Sequence, residues 1–255
     1  MSTLAYILVF TFISSLGSLA GGFILLAKRS FALRASHFLT AFAAGVLLAS
    51  AFLDLLPEAL RAAGADNSPI FAWTLAGLLI FFLAEHLVHW FHHHDEHLHH
   101  HEPETKATLP LIIAGDALHN FVDGMAVAAA FLVNAPLGIA TALAVAAHEI
   151  PQEIGDFALM LNRGMAPQRV VRINVASAAV SFAGALLVYA LGDVLARFFP
   201  ALLSLVAGFF IYIASSDLIP EIHSDKRRGV ALAKSGFLIA GVLLFLVISS
   251  FAGQG

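Results

Sequence analysis

The chain contains no cysteine, so it has neither a disulfide nor a thiolate cage for a metal. It is also short of charge: Asp, Glu, Lys and Arg make up 12% of its 255 residues, against about 25% in soluble domains. With 13 basic residues and a formal net charge of -4, it offers no basic face for nucleic acid. Apolar residues fill the gap. They make up 60% of the chain, and the mean hydropathy is +0.88. A soluble protein of this length could not bury so much apolar surface, which makes this a polytopic membrane protein. One polar residue type runs against the trend: there are 13 histidines.

Crossing the hydrocarbon as a helix takes about 20 apolar residues. Segments of that length lie at residues 4–27, 37–60, 70–91, 109–133, 137–161, 170–192, 200–222 and 230–251. No basic residue and no clear cleavage site marks the first as a signal peptide, so it reads as a retained helix. The basic residues test the count. Lys28, Arg29 and Arg34 fall between segments one and two, and Lys106 between three and four. Arg163, Arg169 and Arg172 fall between five and six, and Lys226, Arg227, Arg228 and Lys234 between seven and eight. Only Arg61 and Arg197 lie at the even junctions. The positive-inside rule then places the odd junctions in the cytoplasm and both termini outside. The expectation is an all-α protein of eight transmembrane helices in a lipid bilayer, that of a bacterial inner (plasma) membrane.

The second segment ends Asp54-Leu55-Leu56-Pro57-Glu58 and the seventh ends Asp217-Leu218-Ile219-Pro220-Glu221. In each, a glycine (Gly45, Gly208) lies nine residues before the aspartate. Helix two runs outward and helix seven inward, so the motif falls once near each surface. That is the pattern of inverted repeats, helices 1–3 and 6–8 around helices 4–5 in a 3+2+3 arrangement, and it is typical of transporters. A chance match between helices drawn from few residue types is the plainer alternative.

From Ala107 to Asn162 there is no Lys or Arg, yet the stretch holds Asp116, Asp123, Glu149, Glu153, Asp156, His119 and His148. An ionised carboxylate deep in a bilayer costs several kcal/mol unless paired or hydrated. With no base at hand, a bound cation is the simplest compensation. Asp116, His119, Asn120 and Asp123 share one helical face, and so do His148, Gln152 and Asp156, with Glu149 and Glu153 on the adjacent stripe. Imidazole with carboxylate suits zinc and its first-row neighbours. Pro151 frees the carbonyl of Ala147, while Gly124 and Gly155 read as letting these two helices approach closely. Any one of these acids alone could equally be a protonated structural group.

The strings His119-Asn120-Phe121-Val122-Asp123-Gly124 and His148-Glu149-Ile150-Pro151-Gln152-Glu153 resemble the signature helices of the ZIP (Zrt/Irt-like) family of divalent metal transporters. The resemblance covers nearly the whole chain. It implies helices four and five sandwiched between two three-helix repeats, and movement of metal into the cytoplasm, with Zn2+ as substrate. By position it implies a main metal site of His119, Asp123, His148 and Gln152. Asn120 and Glu149, with Asp123, would form the second half of a two-metal centre, and Glu153 completes the candidate ligands. Asp54 resembles the entrance residue of the pore and Asp217 the exit residue. Gln152 stands where many members carry His or Glu, and Ser181 roughly where some prokaryotic members carry Glu. A neutral amide is a weaker zinc ligand than either, so Fe2+, Mn2+ or Cd2+ remain alternative substrates.

Nine histidines gather at the inner end of helix three and beyond: His86, His89, His92, His93, His94, His97, His99, His100 and His101. Residues 92–108 read as a His-rich cytoplasmic loop that need not fold and is metal-competent at neutral pH. A solubilising spacer is the alternative, and a receiver for outgoing metal the sharper reading. His37 and His223 also fall at cytoplasmic helix ends. Among rival classes, an intramembrane metalloprotease lacks its second His, replaced by Gln152, and Pro151 disturbs the required i, i+4 geometry. A metal exporter of the cation-diffusion type usually has six spans. The expectation is therefore a transporter and not an enzyme, with divalent metal ions and lipid as partners, no nucleic acid, and a homodimer as its assembly.

Overall fold

A computed structural model describes residues 2–64, 69–95, 109–223 and 228–252. No strand occurs among the described residues. The chain forms the long helices α1 (Thr3–Ala27), α2 (Arg29–Ala63), α3 (Ile70–Asp95), α4 (Leu109–Val133), α5 (Ala135–Asn162), α6 (Pro167–Ala190), α7 (Gly192–Ile222) and α8 (Arg228–Ala252). Seven of them carry stretches long and apolar enough to cross a membrane. The exception is α5, which has the length at 28 residues but not the apolarity. Its His148, Glu149 and Glu153 are buried, and it packs against α1, α2, α4 and α6. Neighbours cover its polar stripe, so α5 need not be apolar on every side.

Helix ends follow local chemistry. Asn134 caps α5, its Oδ1 accepting the Leu137 N–H at 2.8 Å, with Pro136 in the first turn. Gly164, at φ +79°, makes the turn into α6, which starts at Pro167. Near its start α7 tightens to a 3-10 turn at Ala196–Phe198, just ahead of Pro200. The segments expected at 37–60 and 70–91 extend as helix beyond their apolar parts. α2 starts at Arg29, and α3 runs to Asp95 because residues 86–95 contain neither Gly nor Pro. The backbone of His92, His93 and His94 is therefore helical, while His97, His99, His100 and His101 lie outside the described residues.

The two Asp-Leu-x-Pro-Glu strings fold alike. Each aspartate lies in a widened π turn, Ser50–Leu55 in α2 and Ile213–Leu218 in α7. Pro57 and Pro220 cannot donate to the preceding turn and would collide with a regular helix there; the wider turn absorbs the mismatch. The glycines upstream also match. Gly45 of α2 faces the Leu238 carbonyl of α8, and Gly241 of α8 faces that of Phe42. Gly208 of α7 faces the Thr74 carbonyl of α3, and Gly77 of α3 faces that of Leu205. A Cβ at any of the four would overlap the opposing backbone, so each crossing is set by reciprocal glycines.

Gly124 and Gly155 do not bring α4 and α5 together. Gly124 abuts the Ser181 carbonyl of α6, Gly184 returns the contact to Phe121, and Gly155 has open space beside it. The small-residue face of α4 belongs to α6. Lys234, numbered among the junction cations, is buried, with its Nζ 3.4 Å from the Glu221 carbonyl at the end of α7. A cation there suits the negative end of a helix. Outward faces of α3 and α8 expose Phe71, Leu75, Leu79, Ile239 and Leu243.

Candidate metal centre

One face of α4 and one of α5 meet in the middle of the bundle. The regular 3.6-residue period sets His119 one turn before Asp123, and His148 next to Glu149. One ligand atom from each of these four residues lies within 4.8 Å of all the others. His119 Nε2 is 3.1 Å from His148 Nε2, 3.6 Å from Asp123 Oδ2 and 3.9 Å from Glu149 Oε1. His148 Nε2 is 3.1 Å from Asp123 Oδ2. Tetrahedral zinc with bonds of about 2.0–2.2 Å sets its donors about 3.3–3.6 Å apart. The separations from His119 and from His148 to Asp123, at 3.1–3.9 Å, lie within a few tenths of an ångström of that spacing, and all four donors fall inside 4.8 Å.

The surroundings prepare the donors. His148 Nδ1 lies 3.1 Å from the Ala144 carbonyl, an acceptor that would keep the proton on Nδ1 whenever Nε2 ligates a metal. The rings of His119 and Phe81 meet edge to face, with centroids 5.5 Å apart. Asp123 and Glu149 are almost wholly buried, and both oxygens of Glu149 and Oδ1 of Asp123 lack a hydrogen-bond partner. Buried carboxylate oxygens without donors are costly. A divalent cation would satisfy them.

The remaining candidate ligands stand apart from this set. Asn120 is fully buried, and its Nδ2 donates to the Asp116 carbonyl (3.1 Å) and to Asp116 Oδ1 (3.2 Å). Its own Oδ1 accepts from Ser15 Oγ of α1 at 3.3 Å. Gln152 Nε2 donates to Asp116 Oδ1 at 3.4 Å. Glu153 is buried with an unpartnered Oε2, outside the four-residue group. Asp116, absent from the expected ligands, is thus the hub of the adjoining network. Its i, i+3 and i+4 spacing to His119 and Asn120 was the available signal. Ser15 gave none, because it arrives from a helix with no charged residue before Lys28.

A cavity of about 480 Å³ opens beside the cluster. His119, Asp116 and Gln152 line one end, and Glu85, Asp217 and Glu221 are among its other walls. Tyr212 donates its hydroxyl to Glu85 at 2.6 Å, and His37 Nδ1 lies 3.3 Å from Glu221. Asp54 does not line this cavity: its Oδ1 accepts from Ser249 Oγ of α8 at 2.7 Å. Of the His-rich group, His86 is exposed on α3.

The family model described as ZIP Zinc transporter matches residues 2–110 and 106–249. The chain belongs to the ZIP zinc transporter family. It is 41% identical over 157 residues to "Zinc transporter foi" of Drosophila melanogaster, covering 60% of this chain and 22% of that protein. It is 42% identical over 152 residues to "Zinc transporter ZIP4" of Homo sapiens, covering 58% and 23%. Against "Zinc transporter ZIP10" of Danio rerio the identity is 34% over 148 residues, covering 55% and 18%. The aligned region is thus about a fifth of each relative's length. This ZIP chain is a bundle of mostly apolar helices with a buried His/Asp/Glu group able to hold metal.

Proposed function

We propose that the chain carries Zn2+ across a membrane into the cytoplasm, binding it at His119, Asp123, His148 and Glu149 between α4 and α5. The observation that carries this reading is the convergence of four buried donors within 4.8 Å, in a stretch without a single Lys or Arg. The relatives named as zinc transporters support zinc as the substrate. Nitrogen and oxygen donors without thiolate suit an ion that must be released again.

In this reading α5 is the eighth span, and α4 and α5 lie between two inverted three-helix repeats. The matching π turns and the paired glycine crossings of α2 with α8 and of α7 with α3 support that arrangement. Both termini face outward, in a bacterial inner membrane, and the chain works as a homodimer. Metal enters past Asp54, loses water to the cluster, and leaves along the cavity past Asp217 toward the histidines that follow His86. Gln152 borders this site as a further oxygen ligand, and Asn120 and Glu149, with Asp123, serve a second ion, beside which Glu153 stands. The oxygen-rich border of Asp116, Gln152 and Glu153 favours a second reading, in which Fe2+ or Mn2+ competes with zinc.

The test is Zn2+ uptake by vesicles containing the purified protein, with Fe2+, Mn2+ and Cd2+ as competitors. His119→Ala and Asp123→Ala are expected to lose uptake. Retention of uptake in both variants overturns the assignment of the site, and an unchanged competition profile in Gln152→His removes that residue from metal selection.

A further inference from the structure

A carboxamide has two ends of nearly the same shape and opposite chemistry. Only the oxygen can bind a metal, because the NH2 group has no lone pair to give. Gln152 lines the cavity beside His119, so what it offers an arriving ion depends on which end is turned inward. Asp116 decides this. Its Oδ1 accepts from Gln152 Nε2 at 3.4 Å and from Asn120 Nδ2 at 3.2 Å. Asn120 Nδ2 is held a second time by the Asp116 carbonyl at 3.1 Å. A carboxylate only accepts hydrogen bonds, so both amides must present their nitrogen ends to it.

We propose that Asp116 is a positioning residue that pins the Gln152 amide by its nitrogen and thereby presents Gln152 Oε1 as an oxygen ligand to metal in the adjoining cluster. The proposal rests on the reading of His119, Asp123, His148 and Glu149 as the metal site. It accounts for a buried aspartate (8% exposed) one helical turn from His119 that is not among the four converging donors. It also makes good the weakness of a neutral amide at position 152. An amide free to rotate would spend part of its time offering NH2 to the cation; a pinned one always offers oxygen. Groups that orient a ligand from behind typically change metal affinity about 10–100-fold when removed.

Equilibrium binding of Zn2+ to the purified full-length protein in detergent tests this in five variants. Asp116→Leu, similar in shape but unable to accept a hydrogen bond, is expected to weaken Zn2+ binding about tenfold or more. Asp116→Asn keeps an acceptor oxygen without the charge and is expected to stay within about threefold of the parent, inside the spread usual for such effects. In a Gln152→His background, where imidazole needs no such pin, Asp116→Leu is expected to lose most of its effect. An equal loss in both backgrounds overturns the proposal in favour of a general structural role. Failure of Asp116→Asn to restore binding overturns it in favour of a charge effect. Asp123→Ala keeps the two readings apart: if it still binds Zn2+ as tightly as the parent, the cluster assignment itself has failed. If Asp116→Leu does not fold, Asp116→Ala, which also lacks an acceptor, takes its place in both backgrounds with the same expected outcomes.

Discussion

Asp54 and Asp217 occupy the same five-residue motif, the same π turn and the same distance from an interlocking glycine, yet their surroundings differ. Asp54 is engaged by the Ser249 hydroxyl at 2.7 Å, whereas Asp217 lines the cavity that reaches His119. The neighbouring helix explains the difference. Ser249 lies eight residues after Gly241 on α8; eight residues after Gly77, at the matching place on α3, stands Glu85. A hydroxyl can close on a carboxylate, but a second carboxylate cannot do so without a proton or a cation between them. One position thus sets a hydroxyl beside Asp54 where the matching place near Asp217 carries the cavity-lining carboxylate of Glu85, while the rest of the motif keeps the two aspartates alike.

The largest expected effect falls where the two halves meet. Asp123→Ala removes a donor shared by both histidines, and Zn2+ uptake into vesicles should fall at least about 100-fold, more than the loss of an outer-shell residue. Exchanging the differing position should then break the comparison itself. Glu85→Ser supplies a hydroxyl at the Asp217 end, and Ser249→Glu puts a second carboxylate at the Asp54 end. Because the chain has no cysteine, a single Leu218→Cys in the cavity wall reports access cleanly. Its modification by a water-soluble thiol reagent should slow about tenfold in the Glu85→Ser background, the worth of one hydrogen bond to a charged group. An unchanged rate would mean that the residue at position 85 does not govern access to the cavity wall at Leu218.

Much of this was legible in the sequence because it rests on period and charge. The apolar segments, the unpartnered acids of residues 107–162 and the stripes bearing His119, Asp123, His148 and Glu149 are local properties of single helices. Seven of the eight expected spans appear as apolar helices, and α5 departs from that pattern for the same reason that it carries the cluster. What sequence could not supply was the pairing between helices. Gly124 sits on the same face as Asp123's neighbours, and nothing local says whether α5 or α6 will lie against it. The same holds for Ser15 and Asn120, 105 residues apart, and for Ser249 and Asp54, 195 apart. Gln152 read as a ligand by position alone; its amide turns out to be held by Asp116.

The glycine crossings sharpen the symmetry with a smaller effect. Gly45→Ala and Gly208→Ala each push a methyl into the backbone of the partner helix, and such overpacking costs about 1–3 kcal/mol. If the two crossings are equivalent, the thermal unfolding midpoints in detergent should drop by similar amounts. A loss confined to one variant would show that the repeats agree in sequence but not in load.

The smallest effect is expected from Ser249→Ala, and it isolates the hydroxyl from the charge. Removing it costs the Asp54 interaction one hydrogen bond, about 1.5–3 kcal/mol where the acceptor is charged and about 1 kcal/mol where water can replace it. Asp54 is partly exposed, so water can reach it once the hydroxyl is gone and the lower figure applies. That is about a fivefold shift in the balance between the Asp54 end with its hydrogen bond made and with it broken. Uptake should therefore change by less than tenfold, and Leu218→Cys should label more slowly if opening one end closes the other. Faster uptake with unchanged labelling would mean that the two ends open independently, and that the likeness of their motifs reflects shared folding instead of shared motion.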